Sequence, residues 1–276
     1  MHLSASLPHE RIRRGFTALL LVGIATACTS TAPRTGIPRP WDSARQMIVV
    51  TTADWDASEG QLRRFERTDA DWHPLGPVQP VQVGRSGSAW GLGLHPDPQA
   101  DTGAPIKREG DGRSPAGVFA IGEAFGYAER IDTALDYLPM QASHYCIDVP
   151  GSPLYNRIVD TGEVGAAAAE GSTEPMRRDI HADGDHRYAQ GFVIRHNPAH
   201  QSPAGSCIFA HVWKAPDVPT AGCTAMSADE MSALLGWLRT DARPVFVLLP
   251  DAEYARLQAD WRLPPITDAQ DILHDR

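Results

Sequence analysis

A histidine and a cysteine close the two ends of "HVWKAPDVPTAGC", residues 211 to 223. A thiol is the strongest ordinary side-chain nucleophile, but at its free pKa of about 8.5 only a few per cent is thiolate at neutral pH. An imidazole brought within about 3–4 Å supplies the general base the thiol needs and lowers its pKa. His211 with Cys223 therefore reads as a nucleophile and its base. Gly222 permits close backbone approach or a positive φ. The N–H groups around Gly222, Cys223 and Thr224 are then placed to receive a developing oxyanion. Spacing alone leaves a plainer alternative open, in which Cys223 is a small buried hydrophobe and His211 a core histidine.

Both residues fall where a rigid element meets a loop. His211 ends the apolar run "CIFAHV" (207–212), and Cys223 precedes a helix signal by four residues. In that signal, "SADEMSALLGWLRT", Ser227 stands three before Glu230 as in a capping box. Met231, Leu234, Leu235 and Leu238 follow at the spacing of one buried stripe. Elsewhere the chain is a series of short strand-like runs bounded by Gly, Pro or Asn. These are "QMIVVTT" (46–52), "PVQPVQVG" (77–84), "GVFAIG" (117–122), "CIDV" (146–149), "GFVIRH" (191–196) and "PVFVLL" (244–249). The prolines of 77–84 suit an edge, and the unbroken apolarity of 244–249 suits a strand covered on both faces. A second amphipathic stretch, "DAEYARLQADW" (251–261), is expected to be helical. "GEVGAAAAEGSTEP" (162–175) fits helix and loop equally. The economical reading is one mostly-β domain over 45–250, followed by a C-terminal helix and tail at 251–276.

The N-terminus reads differently. Arg11, Arg13 and Arg14 precede the apolar run "GFTALLLVGIATAC", which is shorter than the roughly 20 residues that span a bilayer. It is expected to be a secretory signal (1–27). "ATAC" (25–28) resembles a bacterial lipobox with Ala25 in place of the usual leucine, so Cys28 is expected to carry lipid; simple cleavage after "ATA" also fits. By resemblance to lipoproteins of double-membrane bacteria, Thr29 rather than Asp after Cys28 suggests sorting to the outer membrane. Residues 28–44 form a Pro/Thr-rich tether. Removing the signal takes the formal charge from −9 to −11, and with no long basic run such a surface is a poor partner for nucleic acid. Of four cysteines, Cys28, Cys146, Cys207 and Cys223, the first is expected to be used by the lipid. In an oxidising compartment two of the remaining three can pair, and the odd one requires a chemical explanation.

"IFAHV" (208–212) followed by "TAGC" (220–223) resembles the signature of the YkuD-type L,D-transpeptidases. "GDGRSPAGVFAIG" (110–122) resembles an upstream segment of that family, and "CIDVPGSPLYNRIVD" (146–160) and "GFVIRHN" (191–197) resemble a Gram-negative branch. The likeness covers about residues 46–250. It implies a β-sandwich-like domain with mixed sheets and a few short helices, and no cofactor or metal. It also implies an enzyme acting on peptidoglycan stem peptides through a thioester on Cys223, with His211 as general base and acid and Gly222 as oxyanion support; with the expected signal and lipid this would be a periplasmic, lipid-anchored enzyme. The chain departs from the family at Ala221, where a second histidine is usual, and at Thr224 and Ala225, where donor-contacting residues are usual. Arg113, Arg195 and Asn197 are candidates to supply donor recognition instead. With Cys223 taken as nucleophile on that resemblance, Cys146 and Cys207 remain for each other, as cysteines beginning two neighbouring strands.

Three other readings compete. Water as acceptor would make the same thioester chemistry a hydrolase or carboxypeptidase. The cluster "HADGDH" (181–186), with His196 and His200 beyond it, offers zinc-type ligands, but it lies in a Gly- and Asp-rich stretch without helical spacing and reads as a solvated turn. A non-catalytic wall-binding lipoprotein would keep the fold without the chemistry.

Overall fold

The apolar runs become strands of one large mixed sheet, except 146–149, where only Cys146 lies in a strand and that strand belongs to a separate small sheet. The structure, a computed structural model, describes residues 1–2, 38–96 and 103–266. The expected signal, Cys28 and the C-terminal tail lie outside the described residues. Strands β1 (Gln46–Thr52), β2 (Glu59–Thr68), β3 (Asp71–Gln82), β4 (Ser88–Trp90) and β5 (Ser114–Gly126) come first. An insert between β5 and β10 (Gln190–Ile194) holds β6 (Tyr137–Pro139), β7 (His144–Cys146), β8 (Ile158–Asp160) and β9 (Glu174–Pro175). It also holds two single-turn helices, α1 (Thr161–Val164) and α2 (Arg178–His181). Then follow β11 (Phe209–Val212), β12 (Thr224–Met226), helix α3 (Ala228–Trp237), β13 (Val245–Pro250) and helix α4 (Asp251–Trp261).

The large sheet runs β10-β11-β12-β3-β2-β1-β13-β5, and β5 pairs again with β10. Pairing of the two ends closes the strands into a ring, a barrel-like relative of the expected sandwich. β1–β13 and β11–β12 are parallel, whereas β1–β2, β2–β3 and β10–β11 are antiparallel. β13, paired with β1 on one side and β5 on the other, is buried along its whole length, so both of its apolar faces are covered. β3 tolerates Pro74, Pro77 and Pro80 because only Gln82, at its end, pairs with β12, so its outer edge needs no donors there.

On α3, Ser227 Oγ accepts from the Glu230 N–H at 3.1 Å, half of the expected capping box. The reciprocal half is not formed, because the Glu230 carboxylate turns to Arg64 at 3.7 Å. Met231, Leu234, Leu235 and Leu238 are fully buried as one stripe. The domain extends past both expected edges. Trp41 donates its indole N–H to the Trp261 carbonyl at 2.9 Å and meets that ring edge-on at 5.6 Å. Tyr254, Leu257 and Trp261 of α4 join the main core. Two tryptophans cover too much apolar surface to be left outside the fold, which begins at Pro38.

The stretch left open at 162–175 resolves into the end of α1, a 3-10 turn at Ala166–Ala169 and β9. β8, β7 and β9 form a separate three-stranded sheet. Between this sheet and the barrel lies a second apolar cluster of Phe125, Met140, Cys146, Met176, Tyr188, Cys207, Phe209 and Cys223.

Cys146 and Cys207 form a disulfide with a Cα separation of 5.9 Å. Their setting differs from the expected one. Cys146 ends β7 in the small sheet, and Cys207 lies two residues before β11 with φ 55°. The bridge therefore joins the insert to the barrel rather than two strands of one sheet. It spans 61 residues, so on the chain-entropy account its loss costs about 4 kcal/mol. The expected result is a lower urea midpoint in dithiothreitol than in its absence; equal midpoints would refute a stabilising tie.

Candidate active site

β11 and β12 bring His211 and Cys223 to one region. Their parallel register pairs Ala210 with Thr224 and His211 with Ala225. Cys223 thus stands beside Phe209, and its thiol sulfur accepts the Phe209 N–H at 3.3 Å. The thiol also donates to the Cys207 carbonyl at 3.5 Å. Phe209 and His211 share a face by the two-residue period of a strand, and Tyr188 packs edge-on to both at 5.6 and 5.2 Å. Among the described residues no hydrogen bond joins the thiol to the imidazole.

The "TAGC" turn is held from three sides. Thr220 exchanges backbone bonds with Val83 and Arg85 just beyond β3, at 2.9 and 2.8 Å. Its hydroxyl donates to the Cys223 carbonyl at 2.6 Å. Ser114 Oγ, at the start of β5, donates to the same carbonyl at 2.9 Å and accepts the Gly84 N–H at 2.9 Å. The Ser of "GRSPAG" and the Thr of "TAGC" therefore act together on the cysteine's backbone. Gly222 has φ 154°, and a Cβ there would lie 3.0 Å from the Arg113 carbonyl oxygen. Its N–H, however, is engaged with Thr220 Oγ1 at 3.0 Å. Gly222 thus serves the turn, and its own amide is not free for an oxyanion.

The electrostatics reverse one expectation. Burial, with the Glu174 carboxylate adding to it, pushes the Cys223 thiol up to about 12. Burial, reinforced by Arg187 and Arg178, drops His211 to about 4. At rest Cys223 is a thiol and His211 a neutral imidazole, not a thiolate with imidazolium, because no charge here is repaid for leaving water. His211 Nδ1 lies 2.8 Å from the Val212 carbonyl oxygen. A carbonyl only accepts, so Nδ1 carries the proton and Nε2 is left with a lone pair able to take one.

Around the imidazole the structure assembles residues that no sequence spacing singled out. Tyr188 donates its hydroxyl to Glu174 at 2.7 Å, and Arg178 donates to the same oxygen at 3.1 Å. Arg178 and Arg187 both bond Asp185, at 2.9 and 2.8 Å. These two arginines hold the Asp185 carboxylate well below its ordinary range against the opposing effect of burial. That takes Asp185 out of the "HADGDH" set, while His181 bonds the Ala142 carbonyl at 2.8 Å.

The three candidates for donor recognition each have partners within the chain. The Arg113 guanidinium donates to the Trp55 and Ser88 carbonyls at 2.9 and 3.0 Å and to Asp56 at 2.7 Å. Arg195 pairs with Glu123 at 2.9 Å. Asn197, fully buried with φ 52°, bonds Gln201 and Gly205 within its own turn. Thr224 and Ala225 are likewise buried, within β12.

Two open pockets lie elsewhere. A groove of about 1340 Å³ runs between β2, β3 and α4, lined by residues such as Gln61, Gln82 and Tyr254. A pocket of about 310 Å³ lies near Trp41 and Arg195. Neither includes Cys223 or His211. The thiol is covered by the insert through Met140, Met176 and Tyr188 of the second cluster. Compared with family models, with curated proteins and with solved structures, the chain matches none.

Proposed function

We propose that the protein is a cysteine-dependent L,D-transpeptidase of the YkuD type, acting on peptidoglycan stem peptides from a lipid anchor in the periplasm. The observation that carries this reading is the position of His211 in β11 and of Cys223 one residue ahead of the adjacent parallel strand β12, with His211 Nε2 unprotonated. In the proposed reaction the Cys223 sulfur attacks the amide carbonyl that joins the third stem residue to the terminal D-alanine. As the S–C bond forms, the thiol proton passes to His211 Nε2. The C–N bond then breaks, the imidazolium returns its proton to the departing amine, and the stem remains as a thioester. The side-chain amine of a second stem attacks that thioester, gives up a proton through His211, and restores the thiol. Because the resting thiol is protonated, proton transfer and attack are coupled instead of starting from a preformed thiolate. Entry of a stem requires part of the insert to move aside.

Burial of the thiol also favours a second reading, a wall-binding lipoprotein in which Cys223 is a core residue. Incubation of the purified protein with tetrapeptide stems separates the outcomes. Cross-linked dimers support transpeptidation, and tripeptide products mean that water is the acceptor. Unchanged stems, together with no mass gain on Cys223 after carbapenem treatment, leave the binding reading in place. Activity that survives EDTA but vanishes in Cys223→Ala also separates the thiol route from the metal one.

A further inference from the structure

Tyr188 is buried against the imidazole and takes no part in the reaction written above. It ends the insert, two residues ahead of β10. Its ring meets His211 at 5.2 Å and 68°, Phe209 at 5.6 Å and 87°, and Phe125 at 5.7 Å and 79°. Three edge-to-face contacts confine the ring on its apolar sides. The polar end is confined as well, since the hydroxyl donates to Glu174 Oε1 at 2.7 Å. Arg178 holds that same carboxylate oxygen at 3.1 Å while its guanidinium lies over the Tyr188 ring at 5.4 Å. The preceding residue contributes too, because the Arg187 carbonyl accepts the Val212 N–H at 3.1 Å. Val212 is the residue whose carbonyl fixes the His211 tautomer. One short segment, Arg187–Tyr188, therefore touches both determinants of the imidazole: the plane of its ring and the nitrogen that carries its proton.

We propose that Tyr188, locked by Glu174 and Arg178, is a positioning residue that holds the His211 ring in the orientation in which it can serve Cys223. The proposal rests on the acyl-transfer reading for its purpose, but its physical content is the order of the imidazole. Hydrogen-bonded groups that fix a catalytic histidine from outside the reacting pair act by orientation, and small misplacements cost about 10²-fold in rate. Tyr188→Leu removes the ring, Tyr188→Phe keeps it, and Glu174→Ala releases the hydroxyl at a partly exposed site without touching the apolar cluster.

The test reads the imidazole directly in the full-length chain, by two-bond nitrogen–proton correlation spectra of ¹⁵N-labelled protein, alongside kinetics with tetrapeptide stems. Wild type is expected to show His211 as a single Nδ1–H tautomer with ring-shifted carbon-bound protons. Tyr188→Phe, which keeps the ring but loses its bond to Glu174, should keep the ring shift with a less uniform tautomer, and Tyr188→Leu should lose the ring shift and show mixed tautomers. Its kcat should fall about 10²-fold with KM changed less than about threefold. Glu174→Ala, which frees the same hydroxyl, should fall between wild type and Tyr188→Leu and serves as the deciding variant if Tyr188→Leu does not fold. Imidazole spectra identical to wild type in both folded variants would overturn the proposal. A changed imidazole in a protein whose wild type forms no product would uphold the positioning role and defeat the transpeptidase reading.

Discussion

Cys223→Ser is expected to leave the protein folded at near wild-type stability while lowering acyl transfer by about 10⁴-fold or more. The two halves of that result come from different properties of one atom. Sγ accepts the Phe209 N–H and donates to the Cys207 carbonyl, and a serine hydroxyl can make both bonds in nearly the same volume. The hydroxyl cannot replace the sulfur as nucleophile, and loss of a nucleophile removes most of the rate that a catalytic unit supplies. Cys223→Ala should lose the activity equally and also the bonds. It leaves the Phe209 N–H buried without a partner, which costs about 1–3 kcal/mol. Urea melts and stem-peptide product analysis on the three proteins check both parts. Serine activity within tenfold of wild type would remove the thiol from the mechanism.

The strands that position this sulfur were legible where burial is continuous and illegible where pairing alone decides. Ile48 to Val50 and Phe246 to Leu249 announce buried strands because every residue in them is apolar. The paired strand Glu59–Thr68 does not, and the reason is local. Its register shifts between Leu62 and Arg64, so the buried residues Leu62 and Phe65 fall three apart, out of phase with a strand's period of two. β12 has three residues, too few for any period, and exists because β11 offers it a parallel edge. At the site, the cysteine and histidine were legible by type. Glu174, Arg178 and Tyr188 were not: Glu174 and Arg178 are four apart but share no helix, and Tyr188 reaches Glu174 from fourteen residues on, where no periodicity marks it. Arg113, Arg195 and Asn197 drew attention by charge or polarity, yet each satisfies local partners. Charge in a sequence marks what a residue can bind, and only the fold shows that a carbonyl or carboxylate of the same chain has already claimed it.

Stability is expected to fall steeply as pH drops from about 6.5 toward 4, because two histidines are buried neutral. His211 and His196 are both lowered to about 4, in each case chiefly by burial. His196 is enclosed with Nε2 3.0 Å from the Ala204 carbonyl, and its Nδ1 accepts the Leu92 N–H at 3.2 Å. Both ring nitrogens are thus committed in the neutral form. The unfolded chain protonates these rings near pH 6.5, whereas the folded one resists until about 4. Between those values the unfolded state binds more protons, so stability rises with pH across the window and is lost as pH falls through it. Each ring contributes up to about 3 kcal/mol to that loss. Glu174 and Glu230, whose carboxyls burial holds above their ordinary range, act in the opposite sense and offset part of it. The loss from Asp185, whose carboxyl is held low, comes only at more acid pH. Urea midpoints at pH 7.5, 5.5 and 4.5 measure the slope, and His211→Asn should flatten it by about half. A midpoint constant across that range would mean that the rings are not held neutral. The same neutrality sets the activity profile while the protein stays folded. A base already unprotonated well below pH 6.5 gives kcat/KM no inflection there, whereas a thiolate–imidazolium pair would show the thiol titrating near neutrality.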